Sequence, residues 1–317
     1  MLLTLKHLKL IRQSSKRLLS DFVKIVEVGP RDGLQNEKQV VPTSTKIDLV
    51  NNLTNCGFQT IEVTSFVSPK WVPQMKDHTE VLQGISRAAS TKYAALTPNL
   101  KGFKGAQKAN ADEVAIFGAA SESFSKKNIN CSIQESLERF LPVVEAAKEH
   151  QIPVRGYVSC VVGCPYEGIV SPQAVLEVTE KMLDMGCYEV SLGDTIGVGT
   201  PGSIRNLLDV LLKSNESSKL ALHCHDTYGQ ALANILMGIT QGIRTIDSSV
   251  AGLGGCPYAA GASGNVASED VVYMLHGMGL KTGIDLDQLV SVGNNISTFL
   301  GRKSESKVGR ALQNKKQ

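Results

Sequence analysis

The chain has 317 residues, of which 42% are hydrophobic and 20% are charged, a balance typical of a globular protein. This composition excludes a disordered or collagen-like chain, and no stretch approaches the roughly 20 apolar residues of a transmembrane helix. The formal net charge is +3, but residues 1–20 hold five basic and no acidic residues, and removing those five charges leaves −2. We therefore expect neither a nucleic acid nor a membrane as partner.

Residues 1–20 form a basic segment rich in Leu, Ile and Ser, without the continuous apolar core of a secretory signal. This composition predicts a mitochondrial presequence, and hence a location in the mitochondrial matrix, with a frayed basic arm as the alternative. The seven cysteines are an odd number. In a chain of this kind they do not favour a disulfide framework.

Runs rich in β-branched residues alternate eight times with segments of helical period. The predicted strands cover residues 24–28, 60–66, 92–98, 113–119, 152–160, 187–194, 220–226 and 245–252. The helices that follow them cover 43–56, 74–89, 99–109 and 132–149, start at 172 and 201, and cover 229–241 and 266–278. Eight such units over about 255 residues match an α/β fold, the single (β/α)8 TIM barrel.

A further helix over about 285–300 is expected to cap the barrel. The predicted barrel domain therefore covers residues 21–303, followed by a basic, loosely ordered tail over 304–317. A doubly wound open sheet is the alternative fold. It is weakened by the turn at 29–33, which contains a proline and lacks the glycine spacing of a dinucleotide-binding fingerprint.

Reactive side chains stand where the predicted strands end, and in a TIM barrel these ends form the active site. They are Arg31, Asp32, Glu62, Asp194, His223, His225, Cys256 and Asn265. His223 and His225 are two residues apart on a strand, so both imidazoles are expected to face the barrel lumen. Two histidines in an apolar run need a partner, which favours a metal site over a pair of core histidines.

The donors predicted for this metal site are the imidazoles of His223 and His225, the carboxylate of Asp32 and the amide oxygen of Asn265. Mixed nitrogen and oxygen donors with open positions favour Mg2+ or Mn2+ as the cofactor, although two imidazoles leave Zn2+ open. The other four histidines lie in the presequence or on predicted helices. That placement disfavours a zinc barrel of the amidohydrolase type, which needs further histidines.

Arg31 ends the first strand, where a guanidinium could stabilise an enolate oxygen. Glu62 lies in an apolar strand and needs a buried partner, for which Arg31 is the candidate. The alternative for Arg31 and Asp32 is a surface ion pair, and the alternative for Glu62 is a structural salt bridge. Asp194 either takes part in the reaction or caps a helix. Cys256 lies in the glycine-rich loop 249–258. This loop predicts a mobile lid whose thiol acts as a proton donor, and the alternative is a flexible turn with an incidental cysteine.

Together these motifs resemble the DRE-TIM metallolyase superfamily and, within it, the 3-hydroxy-3-methylglutaryl-CoA lyase family, over about residues 23–303. The matching segments are VGPRDGLQNE at 28–37, IEVTSFVSPKWVPQM at 61–75, KKNINCS at 126–132, RGYVSC at 155–160, SLGDTIGVGTPG at 191–202, HCHDTYGQALAN at 223–234 and SVAGLGGCPYA at 249–259. The last segment is specific to the lyase family.

The resemblance implies a metal-dependent retro-Claisen cleavage of an acyl-CoA substrate, 3-hydroxy-3-methylglutaryl-CoA, to acetoacetate and acetyl-CoA by a homodimer. It implies the four metal ligands given above, Arg31 as the group that stabilises the thioester enolate, and Cys256 as the loop acid. Glu62 and Asp194 would support catalysis. The acceptor of the C3 hydroxyl proton stays open between Asp32, His223 and a water.

The chain departs from its apparent relatives near the C-terminus. Many relatives end in Cys-Lys-Leu, a peroxisomal address with a regulatory thiol, whereas this chain reads Lys-Lys-Gln, so neither peroxisomal targeting nor thiol control is expected. An Asn-Arg-Lys pattern linked to acyl-CoA contacts appears as Gly-Arg-Lys at 301–303. We expect Lys303, together with Arg31, to bind the substrate.

Two rival functions are a condensing synthase of the same superfamily and a noncatalytic acyl-CoA-binding barrel. Such synthases usually carry a further C-terminal region, and only 16 residues follow Gly301. A binding protein would tolerate loss of reactive side chains, yet every reactive position is filled. The lyase is therefore the favoured interpretation.

Overall fold

The computed structural model describes residues 21–255 and 264–313. Eight parallel strands close into a barrel, in which neighbours along the chain pair and the first strand pairs with the last. They are β1 (Lys24–Glu27), β2 (Thr60–Ser65), β3 (Lys92–Leu96), β4 (Glu113–Ala119), β5 (Val154–Ser159), β6 (Glu189–Asp194), β7 (Leu220–Cys224) and β8 (Thr245–Ser248). The predicted TIM barrel is confirmed.

Helices surround this barrel and alternate with its strands. They are α1 (Thr43–Asn55), α2 (His78–Gly84), α3 (Leu100–Lys108), α4 (Glu122–Ile129), α5 (Ile133–Glu149), α6 (Pro172–Met185), α7 (Pro201–Leu211), α8 (Ala231–Thr240), α9 (Ser268–Gly277), α10 (Leu286–Phe299) and α11 (Lys307–Gln313). Local residues set their ends: the side chains of Ser132 and Glu135 form a capping box at the start of α5, and the backbone of Gly186 ends α6 with φ of 124°. The predicted C-terminal helix corresponds to α10.

The two faces of the barrel strands bury different kinds of side chain. On β5, Val154 and Val158 pack in the apolar layer between strands and helices. Arg155 and Tyr157 alternate with them and bind charged partners inside the barrel. The lumen is therefore a buried polar space, and the functional side chains stand at its carboxyl end.

Three elements differ from those expected from the sequence. The helix predicted over 74–89 is a short 3-10 turn at Pro73–Met75 followed by the seven-residue α2. Helix α4 lies in a polar segment with little helical period, and Ser121 caps it by accepting a hydrogen bond from Phe124 N. A small antiparallel hairpin joins Gly163–Cys164 to Gly168–Ile169 after β5.

The prediction of a loosely ordered tail is wrong for residues 304–313, which include α11. Ser306 Oγ accepts a hydrogen bond from Gly309 N at 2.8 Å, as an N-cap does. Asp270 of α9 accepts two more, from Lys307 N at 3.1 Å and Val308 N at 2.8 Å. A cap supplied by a residue 37 positions away leaves no local signal in the sequence.

The helices of residues 21–255 and 264–313 include none that is long and apolar enough to cross a membrane. The presequence predicted for residues 1–20 lies outside the described residues. Its assignment therefore stays a prediction.

We predict that Asp270→Ala lowers the free energy of unfolding by about 1–2 kcal/mol, the usual cost of losing a helix cap. The change removes the acceptor of two N-terminal amides of α11 and of the Ser306 hydroxyl. Denaturant unfolding measures the loss, and limited proteolysis should cut residues 304–313 faster than in the wild type. Glu145→Ala, at an exposed carboxylate of α5, serves as the control. Equal stability of the two variants would contradict the prediction.

Candidate active site

The turn after β1 presents two of the predicted site residues. Residues 29–33 form one tight helical turn, in which the amides of Asp32 and Gly33 donate to the carbonyl of Val28. The turn directs Arg31 and Asp32 into a cavity of about 680 Å³ that opens at the carboxyl ends of the strands. This is the end of a TIM barrel at which active sites are built.

Asp32, His223 and His225 bring three ligand atoms within 4.8 Å of one another. His223 lies in β7 and His225 directly after it, and their Nε2 atoms are 3.2 Å apart. Asp32 Oδ2 reaches across from the end of β1 to 3.9 Å from His223 Nε2. Two ring nitrogens that face each other beside a carboxylate form a donor set that fits one divalent cation.

Asn265 reaches the same cluster from the segment that follows β8, where its backbone bridges to that of His225. Its Nδ2 donates to Asp32 Oδ2 at 2.7 Å and to the carbonyl of Leu253 at 3.2 Å. These two acceptors use the amide protons and leave the amide oxygen available as a ligand. The structure thus brings together all four residues that the sequence predicts as metal ligands.

The charge states of the cluster suit cation binding. Burial raises the pKa of Asp32, but the charges of Arg31 and the two histidines outweigh it and lower this pKa to about 2. Burial, assisted by the charge of His223, lowers the pKa of His225 to about 4. At neutral pH the carboxylate is ionised and the His225 imidazole is neutral, which are the forms that bind a metal.

Arg31 is held from two sides by carboxylates. Its Nε donates to Glu62 Oε2 at 2.7 Å, and its Nη1 donates to Asp32 Oδ1 at 2.6 Å. The ion pair with Glu62 predicted from the sequence is therefore confirmed. Glu62 also accepts a hydrogen bond from Tyr157 at 3.3 Å, and the guanidinium lies 5.7 Å from the centre of the Tyr157 ring. These contacts fix the orientation of the guanidinium at the edge of the cavity.

Asp194, at the end of β6, lies outside the ligand cluster. Its Oδ2 accepts a hydrogen bond from Gly199 N at 2.8 Å, so this carboxylate shapes the loop that leads into α7. Burial raises the pKa of Asp194 to about 6, against the hydrogen bonds from this loop. The two residues on either side of it in the chain, Gly193 and Thr195, line the cavity, whereas the Asp194 carboxylate faces the loop.

The wall of the cavity combines aromatic and basic side chains. Phe117 and Phe140 line it, and so do Lys127 of α4 and Arg139 of α5. Lys303, predicted to bind substrate, is exposed and is not among the described residues that line the cavity. Its role stays a prediction.

The predicted acid Cys256 lies outside the described residues. Gly255, the residue before it in the chain, lines the cavity. The chain therefore passes the cavity directly before Cys256. The role of the thiol stays a prediction.

Tyr157, Lys127 and Arg139 line the cavity, although none of them is among the site residues predicted from the sequence. A signal for Tyr157 is present in the sequence: it lies two residues after Arg155 in an otherwise apolar strand, so both side chains must lie on the lumen side. Lys127 and Arg139 stand on helices whose position over the barrel mouth depends on the tertiary fold. Their spacing in the sequence carries no comparable signal.

Comparison with known proteins agrees with this geometry. A family model described as HMGL-like matches residues 22–296. The chain is 62% identical over 289 residues to "Hydroxymethylglutaryl-CoA lyase, mitochondrial" of Gallus gallus, which covers 91% of this chain and 97% of that protein. It is 60% identical over 296 residues to "3-hydroxy-3-methylglutaryl-CoA lyase, cytoplasmic" of Mus musculus, covering 93% and 86%.

The crystal structure of a hydroxymethylglutaryl-CoA lyase from Pseudomonas aeruginosa is similar throughout. It superposes with a TM-score of 0.92 at 57% identity and covers 94% of this chain and 99% of that one. The family match, the relatives and the structural similarity all extend over the whole barrel. The chain therefore belongs to the HMGL-like family of lyases.

Proposed function

We propose that this enzyme cleaves 3-hydroxy-3-methylglutaryl-CoA to acetoacetate and acetyl-CoA in a metal-dependent retro-Claisen reaction, a step of ketone-body formation and leucine degradation. The observation that carries the proposal is the cluster of Asp32, His223 and His225 beside the guanidinium of Arg31, open to one cavity. The names of the chicken and mouse relatives supply the substrate.

Asp32, His223, His225 and Asn265 would hold the cation. Their mixed nitrogen and oxygen donors support Mg2+ or Mn2+. When bound, such an ion supplies Lewis-acid polarisation of substrate oxygens, worth several kcal/mol in the transition state. The open side of the cluster faces the cavity, where substrate oxygens have access to it.

The cleavage breaks one carbon–carbon bond and includes two proton transfers. The C3 hydroxyl loses its proton, its oxygen forms the new carbonyl of acetoacetate, and the C2–C3 bond breaks. The electron pair of that bond passes to the thioester as an enolate, which takes a proton at C2 to give acetyl-CoA. Arg31 stabilises the enolate oxygen, because its guanidinium is charged, held by Glu62 and directed into the cavity.

The two proton transfers fall to different groups. Cys256 is the proposed donor to the enolate carbon, since a thiol near its ordinary pKa of about 8.5 is a competent acid at neutral pH. The acceptor of the hydroxyl proton stays open between Asp32, His223 and a water.

The positive charge at the mouth of the cavity supports the proposal of an acyl-CoA substrate. Lys127 and Arg139 place positive charge there, which suits the phosphates of a coenzyme A thioester. Lys303 remains a second proposed contact.

We also propose a homodimer in the mitochondrial matrix; the chicken relative is named mitochondrial, whereas the mouse relative is named cytoplasmic.

The decisive assay follows products from purified residues 21–317, with 3-hydroxy-3-methylglutaryl-CoA and Mg2+, in the presence and absence of EDTA. We expect acetoacetate and acetyl-CoA that disappear with EDTA and return with excess Mg2+. A parallel reaction offers acetyl-CoA with 2-oxo acids. Condensation without cleavage would assign the chain to the synthases, and no reaction in either assay would favour the noncatalytic binding barrel.

His223→Ala should weaken Mn2+ binding by more than the roughly 10–100-fold typical of losing a group outside the ligand shell. It should also lower turnover by about 100-fold or more, because about 3 kcal/mol of polarisation is lost. Calorimetric titration with Mn2+ and the cleavage assay measure the two effects. His150→Ala, at an exposed histidine that follows α5, is the matched control. Wild-type Mn2+ affinity in His223→Ala would contradict the ligand assignment.

Cys256→Ala should lower turnover by about 10²–10⁴-fold, the usual contribution of a general acid, and leave the Mn2+ affinity unchanged. This combination separates proton donation from metal binding. Cys187→Ala serves as the control, since that thiol is buried on the outer side of β5 near Gly156 and Met182. Full turnover in Cys256→Ala would exclude the thiol as the acid.

A further inference from the structure

A carboxylate lies behind the His223 ring, on the side away from the ligand cluster. Asp247 of β8 is buried, and its Oδ2 is 3.3 Å from His223 Nδ1. On the opposite edge of the ring, Nε2 faces His225 Nε2 at 3.2 Å and Asp32 Oδ2 at 3.9 Å. The imidazole thus spans from an interior carboxylate to the proposed metal site.

Other side chains hold this carboxylate in place and keep it ionised. Arg155 donates from Nη2 to Asp247 Oδ1 at 2.8 Å and from Nη1 to Oδ2 at 3.1 Å. Ser191 Oγ donates to Oδ2 at 2.7 Å. Both oxygens accept hydrogen bonds, so Asp247 acts only as an acceptor toward the histidine.

An acceptor-only neighbour determines which nitrogen of a neutral imidazole carries the proton. Nδ1 of His223 must donate to Asp247, which leaves Nε2 without a proton and with its lone pair directed at the cluster. In the opposite tautomer, the lone pair of Nδ1 would face the Asp247 carboxylate, and the hydrogen on Nε2 would point at the metal position. Outer carboxylates commonly orient ligating histidines in this way.

We propose that Asp247 is a positioning residue, which fixes His223 as the Nδ1–H tautomer and aims its Nε2 at the metal site. The proposal rests on the metal ligation proposed above. Asp247 itself belongs neither to the ligand cluster nor to the described residues that line the cavity. It acts through His223, with Arg155 and Ser191 as its supports.

Glu189 provides a matched control inside the same network. It is also buried, and it binds the same guanidinium, accepting from Arg155 Nε at 2.7 Å. Its other oxygen accepts from Thr245 Oγ1 at 2.8 Å, so its carboxylate faces Arg155 and Thr245 rather than His223. Asp247→Asn and Glu189→Gln each remove one charge beside Arg155, but only the first alters the partner of His223.

The first test titrates each variant with Mn2+ alone. We expect the dissociation constant of Asp247→Asn to rise about 10–100-fold, the usual effect of losing an outer partner of a ligand, while Glu189→Gln stays near the wild type. Thermal unfolding confirms that both variants are folded. Equal losses in the two variants would overturn the proposal, because Asp247 would then act only through the charge balance around Arg155.

The second test needs no variant at Asp247 and no metal. Nitrogen NMR of the metal-free wild type, labelled with 15N-histidine and assigned with His223→Asn, reports which ring nitrogen of His223 carries the proton. At pH values at which the ring is neutral, we expect Nδ1 to carry the proton and Nε2 to be unprotonated. The Nε2–H tautomer would overturn the proposal. If the wild type binds no Mn2+, the proposed ligation fails, and this tautomer measurement still decides the role of Asp247.

Discussion

The barrel lumen contains charged side chains that are almost fully removed from water, and the positions of Arg31, Asp32 and His223 depend on how those charges are paired. An unpaired buried ion costs several kcal/mol, so each guanidinium in the lumen is matched by carboxylates. Arg155 is bound by Asp247 and Glu189, and Arg31 by Glu62 and Asp32. Because Glu62, Glu189 and Asp247 come from three different strands, electrostatic pairing fixes these strands relative to one another.

The same pairing prepares the chemistry. The charge of Arg31 helps to hold Asp32 ionised against burial, and burial, assisted by the charge of His223, keeps His225 neutral. Charged and neutral donors therefore stand side by side, as a cation requires, before any ligand arrives. A site built in this way needs little reorganisation, which is the condition under which fixed charges contribute most to catalysis.

The sequence was sufficient where a short-range pattern dictates geometry. The two-residue spacing of His223 and His225 set both rings in the lumen, and an acid in an apolar strand required the pairing of Glu62 with Arg31. It was insufficient where no pattern in the sequence marks the partner. Asp247 contacts His223 from 24 positions away, and Asp270 caps α11 across 37 or 38 positions. Only closure of the barrel and docking of the last helix reveal these contacts.

One buried acid connects the first and last loops of the barrel. Glu27 Oε1 accepts from Gly29 N and from Val250 N, each at 2.8 Å, and its Oε2 accepts from Ser268 Oγ at 2.6 Å. The first contact anchors the turn that presents Arg31 and Asp32, and the other two anchor the segments on either side of the loop that supplies Asn265 and carries Cys256. Burial raises the pKa of Glu27 to about 7, so this link exists at an energetic cost. In return, closing the barrel between β1 and β8 brings together Asp32 and Asn265, which lie 233 positions apart in the chain.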